Sequence, residues 1–159
     1  MNSIFNWNGK LNLPVPKALR SSHDEARAEL ARAMMEGGPI AKAATRVAEL
    51  CLPHFEHEEK SVFPVLALLP YLAARDLRPK MMEVMPLISD FGAQRDRLND
   101  HHQLILAAIE DLLQAAQRQN SREFAEFAYN LRVHERIEEE VIFPTVILIG
   151  SCLQESRSH

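Results

Sequence analysis

The chain of 159 residues contains two cysteines, Cys51 and Cys152, and five glycines. Two cysteines form at most one internal bond, which excludes a disulfide scaffold and a cysteine-rich zinc site and points to a reducing compartment. Scarce glycine and few β-branched alternations argue against a β-rich fold. Positive charge is not in excess: 18 Lys and Arg stand against 22 Asp and Glu, a formal net charge of -4. That excludes nucleic-acid binding through a large overall basic charge. Long apolar runs are missing as well. Residues 1–20 have no continuous apolar segment, and the longest apolar-rich stretch, 141–149, is broken by Pro144 and too short to span a bilayer. These absences predict a cytoplasmic protein with neither a nucleic-acid nor a membrane partner.

What is present is helical. Hydrophobic residues make up 47% of the chain and charged residues 25%, a globular balance at a length suited to one domain. Residues 1–16, with Trp7 and two prolines, read as an arm packed on that domain, and 17–36 as a first helix that stops at Gly37-Gly38-Pro39. A second helix is expected over about 40–69, kinked or divided by Pro53 and Pro64. Residues 70–86 hold three prolines and read as an irregular connection. A third helix spans about 87–119, with Leu98, Ile105, Ile109 and Leu112 on one face. Asn120, followed three residues later by Glu123, offers a capping box for a fourth helix ending near Leu148. The fold class is therefore all-α, an up-down four-helix bundle over 17–149 made of two similar helical hairpins, with 150–159 as a tail.

The hairpins share a motif. The segment His54-Phe55-Glu56-His57-Glu58-Glu59-Lys60-Ser61-Val62-Phe63-Pro64 aligns without a gap on His134-Glu135-Arg136-Ile137-Glu138-Glu139-Glu140-Val141-Ile142-Phe143-Pro144. Both read H-x-x-x-E-E-x-x-x-F-P, and a histidine lies upstream of each: His23 for the first, His101 or His102 for the second. Such self-similarity is the mark of a duplicated hairpin.

Residues four apart lie one turn apart on one helix face, so His54 with Glu58, and His134 with Glu138, can point together into the bundle. Inward glutamates and histidines destabilise a core unless a cation neutralises them, and a pair of metal ions does so. Imidazole and carboxylate ligation without sulfur fits iron or manganese better than structural zinc. The upstream ligand is read as His102 in preference to His101. Glu56, Glu59, Glu135, Glu139 and Glu140 are expected on the solvated side of the motif, and Cys51 as a small buried hydrophobe.

The duplicated motif, each copy preceded by a helix bearing histidine, resembles that of the hemerythrin-like (HHE cation-binding) family of non-haem di-iron bundles. The resemblance covers roughly Leu19 to Leu148. It implies two iron ions, ahead of manganese or zinc, with His23, His54, His102 and His134 as terminal ligands and Glu58 and Glu138 as bridging carboxylates. It also implies a small gaseous partner, O2 or NO. The oxygen-carrying members have an H-x-x-x-H pair on the third helix, whereas here the residues four after His101 and His102 are Ile105 and Leu106. Two six-coordinate irons offer roughly twelve positions. Two bridging carboxylates, a solvent-derived bridge and four histidines leave about two of these open unless His57 supplies a fifth imidazole. The expected function is a di-iron protein binding or sensing O2, NO or iron. A di-iron redox enzyme or iron-donating repair protein, and an interaction module with a structural metal, are the alternatives. Protease chemistry of the H-E-x-x-H type is excluded because Glu138 stands where the second histidine would be.

Overall fold

The computed structural model describes residues 11–156, and its regular elements are all helical. Helix α1 covers Lys17–Met35 and α2 Gly38–Ser61, followed by a 3-10 turn over Phe63–Leu68 and the short α3, Leu69–Ala73. A second 3-10 turn, Pro79–Val84, leads into α4, Met85–Arg118. The last long helix is composite: α5 is Arg122–Ile137, a π-helical turn covers Glu138–Ile142, and α6 is Phe143–Glu155. Packing of α1 on α2, α2 on α4, α4 on α5 and α5 back on α1 closes an up-down four-helix bundle.

Each helix forms around a buried stripe at helical spacing. On α2 it runs through Ile40, Ala44, Val47, Cys51, His54, Phe55 and Glu58. On α4 it includes Leu98, His102, Ile105, Ile109 and Leu112. On α1 it is His23, Ala26, Leu30 and Ala33, and on α5 Phe124, Ala128, Leu131 and Glu135. The apolar part of each stripe explains why the polar members point inward, because the helix cannot bury one without the other.

Some boundaries differ from the sequence reading. Pro53 lies inside a continuous α2, while the α-helix ends at Ser61, ahead of Pro64. Asn120 is not the cap: it adopts a left-handed φ of 53°, and Ser121 holds the N-cap position of α5 without a side-chain capping bond. The expected tail is helical as far as Glu155, because Ile149, Gly150 and Leu153 are buried. Gly150 lets α6 approach α4 closely, since a Cβ there would sit 2.9 Å from Ile88 Cγ2. Of the arm, Leu11, Leu13 and Val15 pack on the core, while residues 1–10, including Trp7, and 157–159 lie outside the described residues. Among the described residues no helix is long and apolar enough to cross a membrane.

Two apolar layers result. One gathers Leu30, Ile40, Val47, Phe55, Ile105, Ile109 and Leu112. The other gathers Phe63, Leu68, Met81, Phe91, Phe143, Val146 and Ile149. The inward polar side chains lie where these layers meet, with Phe55 of one layer and Phe63 of the other both against the His23 ring.

Candidate metal centre

Six side chains from four helices meet there: His23 from α1, His54 and Glu58 from α2, His102 from α4, and His134 and Glu138 from the composite fourth helix. All are buried except His134, which is half-buried. They form two groups that share Glu138, one of His54, Glu58, His102 and Glu138, the other of His23, His134 and Glu138, with ligand-type atoms in each within 4.8 Å of one another.

Each carboxylate addresses both histidine pairs. Glu138 turns Oε1 to His134 Nε2 at 2.8 Å and to His23 Nε2 at 3.4 Å. Its Oε2 faces His54 Nε2 at 3.7 Å and His102 Nε2 at 3.9 Å. Glu58 is arranged likewise, with Oε1 3.3 Å from His54 Nε2 and Oε2 3.6 Å from His23 Nε2. His54 and His102 bring their Nε2 atoms to 2.8 Å of each other.

The outer ring nitrogens are partly held from behind. His23 Nδ1 donates to Glu59 Oε1 at 2.9 Å, and Ser22 Oγ lies 3.1 Å from His134 Nδ1. His102 Nδ1 faces Glu139 Oε1 at 3.4 Å without hydrogen-bond alignment. A neutral imidazole has one N–H, so a ring that donates from Nδ1 presents a lone pair at Nε2. A neutral His23 would therefore direct a lone pair at carboxylate oxygens, which are acceptors when ionised. Both oxygens of Glu58, Oε2 of Glu138 and Nε2 of His134 are buried with no hydrogen-bond partner. Buried acceptors converging without donors are costly alone and fit a shared cation. The donor set suits a metal ion.

Without a cation the charges distort one another. Burial and the neighbouring Glu138 push the Glu58 carboxyl up to about 8. Burial likewise raises Glu135 well above the carboxylate range, with Glu138 adding to it. Glu138 goes the other way: burial opposes its charge, but the rings of His134, His23 and His54 around it hold it well below the usual range. Burial lowers His54, yet Glu138, Glu58 and Glu135 outweigh it and leave the ring raised to about 10. His102 is pulled down to about 4 by burial and by His54. Cys51 is fully buried and its thiol is pushed up by burial and the nearby carboxylates, in keeping with a hydrophobic role.

His102, not His101, lies in the cluster. It continues the stripe of Leu98, Ile105 and Ile109, while His101 sits half-buried beside it, its ring centroid 5.5 Å from that of His54. His57 does not join the cluster; with Pro53, His54, Arg97 and His101 it lines a cavity of about 270 Å³ that reaches His54 from the surface. Three glutamates expected outside are not. Glu59 is half-buried and held by His23 and Arg27. Glu139 is half-buried beside His102. Glu135 is fully buried. Its signal was the stripe Phe124, Ala128, Leu131, whose next members are positions 135 and 138; centring the motif on His134 conceals that register. Glu56 and Glu140 are exposed, as expected.

Set against protein-family models, curated proteins and solved structures, the chain matches none of them. Its own geometry carries the reading: an all-helical bundle with a buried His and Glu cluster that could hold metal, compatible with a hemerythrin-like site.

Proposed function

We propose that this is a hemerythrin-like non-haem di-iron protein that binds or senses a small gas, O2 or NO. The observation that carries the proposal is the division of labour in Glu58 and Glu138, each with one oxygen toward His23 and the other toward His54. One carboxylate shared between two imidazole groups is what two adjacent cations require. His23 and His134 would serve one iron, His54 and His102 the other, with Glu58 and Glu138 bridging. When bound, iron supplies redox electrons and open coordination positions for a diatomic molecule.

The chain's own residues do the rest. Glu59 fixes the ring of His23 and its tautomer from the Nδ1 side. Phe55, stacked on His23 with ring centroids 4.0 Å apart, and Phe63 and Phe143 keep the cluster dry. Leu106, four residues after His102, offers no nitrogen where oxygen carriers place a ligand. The reduced, iron-loaded protein should therefore bind NO and be oxidised by air within minutes, without reversible oxygen cycles.

The test is anaerobic iron loading, with metal analysis and optical spectra before and after NO and air. About two irons per chain and an NO band support the proposal. Less than one iron per chain, or iron retained after Glu58 and Glu138 are both replaced by alanine, contradicts it. The cavity at His54, with Arg97 and His101 in its wall, favours one second reading, a redox enzyme acting on a small anion. Turnover of such a substrate with an electron donor would distinguish it.

A further inference from the structure

The duplicated motif keeps its chemistry at five buried or half-buried pairs: His54 with His134, Glu58 with Glu138, Glu59 with Glu139, Val62 with Ile142, and Phe63 with Phe143. A sixth pair changes: Phe55 stands where the second copy has Glu135, and both are fully buried. Phe55 packs on the His23–His134 pair, its ring centroid 4.0 Å from His23 and 5.9 Å from His134. Glu135 approaches the opposite pair, with Oε2 3.8 Å from His54 Nε2 and 3.8 Å from His102 Nε2. Neither of its oxygens has a hydrogen-bond partner.

A carboxyl group with no donor to its oxygens is costly in a core, whether charged or protonated. Glu135 has apolar neighbours along its own helix and two imidazole nitrogens ahead of it. A cation among the three would satisfy the carboxylate and both imidazoles at once.

We infer that Glu135 is a third carboxylate ligand, confined to the His54–His102 position, which makes the two metal positions chemically unequal. The inference rests on the dinuclear reading above and deepens it. One position has two histidines, two shared carboxylates and the face of Phe55. The other has two histidines, two shared carboxylates and a carboxylate of its own, contributed by α5 where α4 has only Leu106. Glu135 fills a vacancy at the His54–His102 position, so the place for an external ligand is the His23–His134 position.

The test is anaerobic titration of the full chain with ferrous iron, read by binding isotherm and Mössbauer spectrum, for wild type, Glu135→Gln and Glu135→Ala. Wild type should take up two irons per chain with two distinct quadrupole doublets of equal area. In both variants one iron should weaken by about 100-fold or more, the upper end of what losing even an outer-shell partner costs. The other should stay within about twofold on the same scale. Only the doublet of the weakened iron should move, and added formate should restore it in Glu135→Ala. Glu135→Gln preserves the side-chain shape and decides the matter if the alanine variant does not fold. Two irons of wild-type affinity and unmoved doublets in Glu135→Gln would overturn the inference while leaving the dinuclear reading intact. Equal weakening of both irons with no effect of formate would make Glu135 a packing residue. Fewer than two irons in wild type would remove the dinuclear reading and this inference with it.

Discussion

The two copies of the motif carry the same F-P ending and finish in different backbones. After Glu58, α2 stops at Ser61 and Phe63-Pro64 opens a 3-10 turn. After Glu138 the chain widens into a π turn, in which the Phe143 N–H bonds to the Glu138 carbonyl, and then continues as α6 through Pro144. Proline cannot donate the bond that an α-helix needs, and both copies leave α-geometry next to theirs, although α2 runs on through Pro53. In the first copy Pro70 follows within the same apolar run and the helix is not resumed at length; in the second, Thr145 to Leu153 contains no proline and it is. Both routes lead to the same place. Phe63 settles 5.0 Å from the ring of His23 and Phe143 5.1 Å from that of His102, each the histidine of its own hairpin's first helix. The duplication conserves the positions that surround the cluster and lets the backbone vary.

The largest break in this pairing should come from Glu138→Ala, because Glu138 faces all four histidines whereas Glu58 faces His23 and His54. Iron at about 1,000 times its Kd stabilises a fold by about 4 kcal/mol per site. The variant should lose that for both sites, read as a collapse of iron content and of the iron-dependent rise in Tm. The metal-free form should lose less, only the favourable pairing of Glu138 with the rings of His134, His23 and His54. Equal loss with and without iron would make Glu138 purely structural.

Next in size is the response to pH. In the metal-free protein His54 is raised to about 10 and Glu58 to about 8, from ordinary values of 6.5 and 4.5. The folded chain thus keeps protons that the unfolded chain has released, so this stability is full below the ordinary values and is lost as pH rises through about 8 and then about 10. His102, lowered to about 4, acts in the opposite sense, and only between about 4 and 6.5. From pH 6.5 upward the metal-free Tm should fall, while iron, whose ligands must be deprotonated, binds more tightly. Thermal unfolding with and without iron across that range should give diverging curves, and parallel curves would count against the cluster as the source.

Phe55→Ala removes the fully buried ring that stands in place of a second Glu135. It should cost about 3–5 kcal/mol in both metal-free and loaded forms, measured by denaturant unfolding. The smallest effect sharpens the comparison of the second glutamates. Glu59→Gln should weaken iron by about 10- to 100-fold because His23 is held at 2.9 Å by Glu59. Glu139→Gln should cost less, since Glu139 faces His102 at 3.4 Å without alignment. Equal losses in competitive chelator titrations would show that both histidines are held alike.

The bundle was legible because its stripes are long: Ile40 to Cys51 and Leu98 to Leu112 each repeat often enough to fix a face. Those stripes also carry His54 and His102 inward, so the choice of His102 over His101 could be made from letters. Glu135 lies on such a stripe too, but its neighbour His134 matched the motif, and a one-residue displacement turns a side chain by about 100°. The partners Glu59 and Glu139 could not be read, since each reaches a histidine on another helix and depends on which helices are adjacent. The π turn was hidden as well, because the sequence reads as one helix through Pro144 to Leu148 and no residue type marks the wider turn over Glu138–Ile142.

Anomalous diffraction at the iron edge from crystals of the iron-loaded protein tests the central claim most directly. Two peaks per chain are predicted, one bonded to Nε2 of His23 and His134 and the other to Nε2 of His54 and His102, with Glu58 and Glu138 contacting both. A single peak, or peaks that leave either glutamate unbound, would contradict it.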